Sequence, residues 1–300
     1  MATSKVLRKR PRRPRPPVPA GYRVQVTRLV EPSSYFRWKV VLERILAALL
    51  LLPGAPLIAC LLLLVRLTSR GPAIFRQCRV GKNGRLFSMY KLRTMRDGAE
   101  TTTGPVWARA ADPRVTRVGR VLRKLHLDEL PQLFNVVKGE MLLVGPRPER
   151  PEFVEILKGK ISGYTNRLAV PPGVTGLAQI NLPPDSDLDS VRRKLALDLQ
   201  YLEQANLWLD LRMLLCSLVR LLGMPGVIVM HLFLLRRRVG ELPPLVKVDG
   251  NGDPKHAVVT AEKAVSPSAL PVCRADQSKD ANGDAAEAAS SDLKLRPKPR

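Results

Sequence analysis

An uncharged stretch of 21 residues, 45–65, constrains this chain more than any other feature of its sequence. Most of its residues are Leu, Ile, Val and Ala. About 18 to 20 such residues in a helix are enough to cross the hydrocarbon core of a bilayer. The stretch therefore predicts either a helix in contact with lipid or a helix buried in the core of a soluble domain.

Basic residues flank both ends of this stretch. Arg37, Lys39 and Arg44 precede it, and Arg66 and Arg70 follow it. A helix that crosses the bilayer once usually has its excess of Lys and Arg on the cytoplasmic side only. The symmetric charge therefore favours a segment whose two ends face the same side of the membrane.

The middle of the stretch contains Pro53, Gly54 and Pro56. Proline removes a backbone N–H group and kinks a helix. We predict a bend at Pro53 and Pro56, so that residues 36–70 form a re-entrant helix hairpin. A kinked helix that spans the bilayer and a buried helix of a soluble core stay open as alternatives.

The charge of the chain points to a partner that carries phosphate. Its 300 residues include 50 Lys and Arg against 26 Asp and Glu, a formal net charge of +24. Such a balance favours nucleic acid, an anionic membrane surface or a phosphorylated substrate as partner. Aromatic residues, on which nucleic-acid bases would stack, make up only 5% of the chain. Together with the apolar stretch, this favours phosphate and lipid headgroups over nucleic acid.

Composition divides the chain into four regions. They are a basic, proline-rich N-terminal arm (residues 1–35), the membrane hairpin (36–70), a catalytic domain (71–240) and a disordered tail (241–300). Within the catalytic domain, short apolar segments predict strands over residues 85–90 and 141–144, and helical periodicity predicts a helix over residues 191–209. Residues 207–235 are apolar but interrupted by charges, which indicates amphipathic helices at the bilayer surface, with core packing as the alternative. The predicted fold class is mixed α/β, mainly helical and monotopic.

Adjacent carboxylates, Asp128 and Glu129, lie among many arginines. The arginines nearest to them in the sequence are Arg114, Arg117, Arg120, Arg123, Arg147 and Arg150. Two carboxylates could bind Mg²⁺ while arginines hold phosphate oxygens, and one carboxylate could attack phosphorus as a nucleophile. Alternatively, Asp128 is simply the N-cap of a helix over residues 129–138 that ends at Gly139.

Six short motifs resemble those of the bacterial sugar transferase family, the monotopic phosphoglycosyl transferases. In order, they are residues 71–81 (GPAIFRQCRVG), 91–95 (KLRTM), 112–114 (DPR), 127–132 (LDELPQ), 144–148 (VGPRP) and 172–176 (PGVTG). The resemblance covers about residues 36–223. It implies a transferase at the cytoplasmic face of the bacterial inner membrane, whose partners are a UDP-sugar, undecaprenyl phosphate and anionic lipids.

The resemblance also implies a reaction and a role for individual residues. A sugar 1-phosphate passes from the UDP-sugar to undecaprenyl phosphate and UMP is released, which starts an exopolysaccharide, capsule, O-antigen or glycoprotein glycan. In the family, the Asp of the Asp-Glu pair is the nucleophile, which corresponds to Asp128 and a phospho-aspartyl intermediate. Asp128 and Glu129 would hold Mg²⁺. The residues expected to bind substrate phosphates are Lys91, Arg93, Arg114 and Arg147.

Some positions depart from the family pattern. Ala55 stands where the family commonly has Ser at the bend, and His126 stands where it usually has a small hydroxyl residue. A catalytically silent membrane scaffold of a glycan-assembly complex is the alternative function, and the intact pair of carboxylates argues against it. A homodimer is compatible with the sequence but is not indicated by any feature of it.

Overall fold

The computed structural model describes residues 23–26, 30–96, 98–99, 112–221, 224, 226–237, 239 and 242–246. Within them the chain is mixed α/β and mostly helical, as predicted. The elements are α1 (Phe36–Thr68), β1 (Ile74–Val80), β2 (Leu86–Leu92), α2 (Arg117–Lys124), α3 (Gln132–Lys138), β3 (Leu142–Val144), α4 (Pro151–Lys158), β4 (Gly173–Thr175), α5 (Leu177–Asn181), α6 (Leu188–Gln204), α7 (Leu207–Leu221) and α8 (Gly226–Leu232). Short 3₁₀ turns occupy Lys82–Gly84, Leu127–Glu129 and Tyr164–Ala169.

The predicted arm and tail fall mostly outside the described residues. Two short described pieces of them contact the folded domain. The Val24 amide donates to the Gly84 carbonyl at 3.0 Å, and the Val246 amide donates to the Lys160 carbonyl at 3.0 Å. Short segments before residue 36 and after residue 240 therefore pack against the folded domain.

The strands form two separate two-stranded sheets. β1 and β2 make an antiparallel hairpin with Ile74 opposite Leu92, whereas β3 and β4 are parallel. The strands predicted over residues 85–90 and 141–144 are confirmed, each beginning one residue later than expected. The parallel pair is extended by a close backbone approach between Gly145 and Gly173. A Cβ atom on Gly173 would lie 2.1 Å from the Gly145 nitrogen, so only glycine fits there.

Helix α1 is the one helix among the described residues that is long and apolar enough to enter a membrane. Only 17% of its most apolar 18-residue stretch is buried, so the soluble-core alternative is wrong. It continues as one helical element through Pro53 and Pro56. The hairpin at these prolines is therefore not shown by the fold and stays a prediction.

Both halves of α1 pack against the same domain. Ala47 in the first half belongs to the largest buried cluster, together with Leu142 of β3. Leu61 in the second half packs in a smaller cluster with Leu92 of β2 and Leu122 of α2. A straight helix of this length spans about 50 Å. The domain therefore lies along α1 and is not attached to one of its ends only.

Helix α7 is amphipathic and lies in the segment predicted to be interfacial. Leu209, Met213 and Cys216 are buried in the main core, while a second set of large apolar side chains is exposed. This exposed set is Leu207, Trp208, Leu211, Leu215 and Leu218. One face therefore packs in the core and the other is free to lie on lipid, which fits membrane association.

The helix predicted over residues 191–209 is wrong at its end. Helix α6 ends at Gln204, and Ala205 and Asn206 separate it from α7. The Asn206 side chain accepts a hydrogen bond from the Leu209 amide at 2.9 Å. Asn is a favoured N-cap because it satisfies an amide that the first helical turn leaves unpaired, and this cap starts a new helix.

The Lys39 ammonium group is fully buried and joins α1 to α7. It donates to Glu43 Oε1 at 2.5 Å and to Asp210 Oδ2. Asp210 also accepts hydrogen bonds from the hydroxyls of Tyr35 and Tyr201, both at 2.7 Å. Lys39 is therefore not one of the basic residues that face lipid headgroups, because its charge is compensated inside the protein.

We expect Lys39→Met to destabilise the protein by about 3–5 kcal/mol, because it leaves two buried carboxylates without a counter-charge. The measurement is the free energy of unfolding in detergent micelles. The control is Lys158→Met, which removes the partly exposed pair with Glu155 and should cost about 1 kcal/mol or less. Equal losses in the two variants would contradict the assigned role of Lys39.

Candidate active site

The two adjacent carboxylates lie on a tight turn between α2 and α3. His126 has a left-handed backbone (φ 52°), and the 3₁₀ turn Leu127–Glu129 follows it. Helix α3 begins only at Gln132, after Pro131. The interpretation of Asp128 as the N-cap of this helix is therefore wrong, while Gly139 does end the helix in the left-handed conformation (φ 80°).

Apolar neighbours of the carboxylates fix this turn against the membrane helix. Leu127 and Leu130 pack against the cluster that contains Leu61 and Val65 of α1. The carboxylate of Asp128 is thus held beside the second half of the apolar helix.

Glu129 is held between two cations from different parts of the fold. Its Oε1 atom lies 2.6 Å from Lys91 Nζ of β2 and 3.1 Å from Arg147 Nη2, in the loop after β3. Burial alone would raise the pKa of this carboxyl, but the charges of Arg147 and Lys91 outweigh burial and hold its pKa well below the usual range. Glu129 is therefore ionised and fixed in place.

Asp128 is in a different state although it is the next residue. Its side chain is largely buried, and within the described part of the chain no other residue donates a hydrogen bond to its carboxylate. Burial, and less strongly the charge of Glu129, raise its pKa, while Lys91 and Arg123 oppose that shift. One carboxylate is thus locked in ion pairs and the other keeps its oxygens available for chemistry.

The other two predicted phosphate-binding arginines are engaged elsewhere. Arg93 is buried, and its Nη2 donates to the carbonyl and hydroxyl oxygens of Ser69, both at 2.7 Å. Its Nε and Nη1 atoms are buried and have no hydrogen-bond partner among the described residues. Arg114 pairs with Asp112, its Nη2 lying 2.6 Å from Oδ2. The structure brings Lys91 and Arg147 to the carboxylates, and contact of Arg93 and Arg114 with phosphate stays a prediction.

The sequence interpretation did not single out Arg123 as a site residue. Its Nε donates to Thr94 Oγ1 at 2.8 Å, and its charge is close enough to lower the pKa of Asp128. The sequence feature that could have identified Arg123 as a site residue was its position in a basic helix, five residues before Asp128. Because six arginines share this segment, the sequence did not distinguish Arg123 from its neighbours.

The donor set is compatible with Mg²⁺ only if substrate completes the coordination. Among the described residues, no group of three or more His, Cys, Asp or Glu side chains could hold a metal ion. The carboxylate of Asp128 and the Oε2 atom of Glu129 are oxygen donors on adjacent residues. Mg²⁺ commonly binds one or two carboxylates and completes its octahedron with water and substrate phosphates, so these residues fit it.

Comparison with known proteins places this geometry in a family context. Residues 34–223 match the sequence model of a family described as Bacterial sugar transferase. A UDP-N-acetylgalactosamine-undecaprenyl-phosphate N-acetylgalactosaminephosphotransferase of Aeromonas hydrophila is 46% identical over 167 residues, which are 55% of this chain and 39% of that protein. An undecaprenyl-phosphate glucose phosphotransferase of Komagataeibacter xylinus is 41% identical over 179 residues, 58% of this chain and 34% of that protein.

A third relative is matched over more of its own length. A UDP-glucose:undecaprenyl-phosphate glucose-1-phosphate transferase of Caulobacter vibrioides is 41% identical over 189 residues, which are 61% of this chain and 69% of that protein. The chain therefore spans little more than a third of the first two relatives and about two thirds of the third.

We expect Glu129→Gln to lower the free energy of unfolding by about 3 kcal/mol at neutral pH, because Lys91 and Arg147 lose their buried counter-charge. The lowered pKa of Glu129 sets the pH dependence. The contribution of Glu129 to the free energy of unfolding is fully present above its pKa in the unfolded chain, about 4.3. It is lost as the pH falls below that pKa toward the lower pKa of Glu129 in the folded protein.

The free energies of unfolding of the native protein and Glu129→Gln should therefore differ most above about pH 5 and become similar in more acidic solution. Unfolding in metal-free detergent buffer between neutral and acidic pH measures this difference. The control is Glu203→Gln at an exposed position of α6, which should change the free energy of unfolding by less than about 0.5 kcal/mol. If the difference in free energy of unfolding between the native protein and Glu129→Gln did not change with pH, this would contradict the ion-paired state of Glu129.

Proposed function

Since this chain belongs to the bacterial sugar transferase family, we propose that it transfers a sugar 1-phosphate from a UDP-sugar to undecaprenyl phosphate with release of UMP. The observation that carries the proposal is the contrast between two adjacent carboxylates. Glu129 is locked by Lys91 and Arg147, whereas Asp128 is available and has a raised pKa. The names of the related proteins support the substrate classes.

The proposed reaction has two displacements at one phosphorus atom. First, a carboxylate oxygen of Asp128 attacks the sugar-bearing phosphorus, the bond from that phosphorus to the bridging oxygen breaks, and UMP leaves with the bonding electrons. Second, an oxygen of undecaprenyl phosphate attacks the phosphorus of the resulting phospho-aspartyl sugar and expels the Asp128 carboxylate. Splitting the transfer in this way lets a soluble donor and a lipid acceptor use the same site in turn.

The cations around Asp128 neutralise the charge that builds up on phosphate. Phosphoryl transfer depends mostly on positioning and charge stabilisation. Arg147 uses one Nη2 hydrogen bond to Glu129, and a guanidinium group has further N–H groups that can reach a substrate oxygen. Lys91 supplies a point charge beside both carboxylates. Arg93 and Arg114 are proposed to bind substrate phosphates as well.

The Asp128 carboxylate and Glu129 Oε2 would hold Mg²⁺ in the substrate complex. When bound, Mg²⁺ would neutralise diphosphate oxygens and make UMP a better leaving group. The protein residues keep their own tasks: Asp128 attacks, and Glu129 keeps Lys91 and Arg147 in place.

The anchor of the proposed enzyme is α1, with both of its ends on the cytoplasmic face of the inner membrane. Three observations support a re-entrant course: basic residues at both ends, prolines in the middle, and contacts of both halves with one domain. The exposed apolar face of α7 would lie on the same leaflet, with anionic lipids attracting the basic surface. The product would begin an exopolysaccharide, capsule, O-antigen or glycoprotein glycan.

We expect Asp128→Asn to reduce transfer at least about a thousandfold, because an amide cannot replace the carboxylate nucleophile. The assay incubates membrane fractions with undecaprenyl phosphate, Mg²⁺ and a panel of UDP-sugars and measures UMP release. Asp189→Asn, at an exposed position of α6, is the matched control and should keep the native rate. Equal release by Asp128→Asn and the native chain would disprove the nucleophile, and no release from any sugar would favour a silent scaffold.

The re-entrant course predicts that positions on either side of α1 label from the same side of the membrane. Glu31→Cys and Lys82→Cys are both at exposed positions and can be introduced in a variant whose native cysteines are replaced by Ser. An impermeant maleimide should label both in inverted inner-membrane vesicles and neither in right-side-out vesicles. Labelling of the two positions from opposite sides would instead show a helix that spans the bilayer.

A further inference from the structure

The backbone of the loop that carries Arg147 is held through its carbonyl groups. Pro146 and Pro148 flank Arg147 and have no N–H group to donate. Four consecutive carbonyl oxygens of this loop each accept a hydrogen bond. The donors are Gly173 N to Pro146 O (2.8 Å), Arg167 Nη2 to Arg147 O (2.9 Å), Arg79 Nη1 to Pro148 O (2.9 Å) and Val80 N to Glu149 O (2.9 Å).

Two of these four donors are arginine side chains from distant parts of the chain. Arg167 lies in the 3₁₀ turn before β4 and its side chain is almost completely buried. Its Nη2 lies 2.7 Å from Asp198 Oδ2 of α6, and its Nη1 donates to the Tyr164 hydroxyl at 3.1 Å. Burial works against its positive charge, but Asp198 and Glu149 more than compensate and raise its pKa. The guanidinium is thus fixed on several sides.

The same loop is also held through the side chain of Glu149. Its carboxylate lies 3.7 Å from Arg79, 4.0 Å from Arg167 and 3.7 Å from Lys194. Arg79 and Arg167 each contact both a carbonyl of the loop and this carboxylate. Movement of Arg167 would therefore disturb two attachments of the loop at once.

We propose that Arg167 is a positioning residue, which fixes the backbone of Arg147 so that the Arg147 guanidinium meets Glu129 and, in the proposed function on which this inference rests, the substrate phosphate. Arg167 contacts the Arg147 carbonyl and not Asp128 or Glu129, so it acts through Arg147. A lysine could keep the positive charge near Asp198, but it lacks the planar fork that reaches several acceptors at once.

The test compares transfer rates in a double-mutant cycle. Arg167→Gln and Arg167→Lys should each lower kcat about ten- to a hundredfold, the range expected when a charge-stabilising group shifts by about 1 Å. In an Arg147→Gln background the same changes should cost less than about threefold, because the group that they position is already gone. Arg193→Gln, at an exposed position of α6, is the control and should leave kcat unchanged.

A second measurement does not depend on the proposed reaction. Hydrogen–deuterium exchange of the full-length protein in detergent should rise in Arg167→Lys in peptides that contain Val80 and Gly173, whose amides donate to carbonyls of this loop. It should stay native in Arg193→Gln. If Arg167→Gln does not fold, Arg167→Lys alone decides the question. Native exchange in Arg167→Lys, or equal rate losses with and without Arg147, would overturn the proposal. Increased exchange in a chain that transfers no sugar would leave the positioning role intact and refute the proposed function.

Discussion

An apolar helix that the domain cannot bury sets the arrangement of the whole chain. Most of the middle of α1 is exposed. Contact of this apolar surface with water is unfavourable, so the helix is stable only where lipid covers it. The domain contacts both halves of it, through the buried Lys39–Asp210 pair and Ala47 in the first half and through Leu61 and Val65 in the second. Because the second contact also includes Leu127 and Leu130, the anchor determines where the carboxylates lie relative to the bilayer.

A chain with this excess of basic residues must keep its cations apart or share anions among them. Glu129 is shared by Lys91 and Arg147, and Glu149 is shared by Arg79, Arg167 and Lys194. Each shared carboxylate lets cations gather within a few ångströms of one another. For Asp128 the result is a pKa that burial raises while its neighbour Glu129 is held ionised. Environments that push two carboxyl pKa values apart assign different chemical roles to the two groups.

The sequence predicted the features that short segments encode. The apolar helix, the strands near residues 86 and 142, and the grouping of Lys91 and Arg147 with the carboxylates follow from local patterns or from family motifs. The buried state of Lys39 could not be predicted, because its partner Asp210 is 171 residues away and a lysine beside an apolar stretch usually indicates a headgroup contact. Arg123 was missed because many other arginines surround it in the sequence. Arg167 was missed because its partners, the Arg147 carbonyl and Asp198, are distant along the chain and only the fold brings them together.

Two tryptophans that are exposed in the described part of the chain support the proposed depth of the anchor. Trp38 lies at the start of α1 and Trp208 at the start of α7. The Lys39–Asp210 pair joins these two helix starts, so both indole rings lie at the same end of the apolar surface. Tryptophan prefers the headgroup level, where its ring is in contact with lipid and its N–H group is in contact with water. At the other end of α1, Arg66 and Arg70 are exposed and are suited to the same level. In the proposed re-entrant course both ends of α1 meet one interface, so its proline-containing middle would be the deepest part. The turn that carries Asp128 packs beside the second half of the helix and would then lie toward the lipid phosphates.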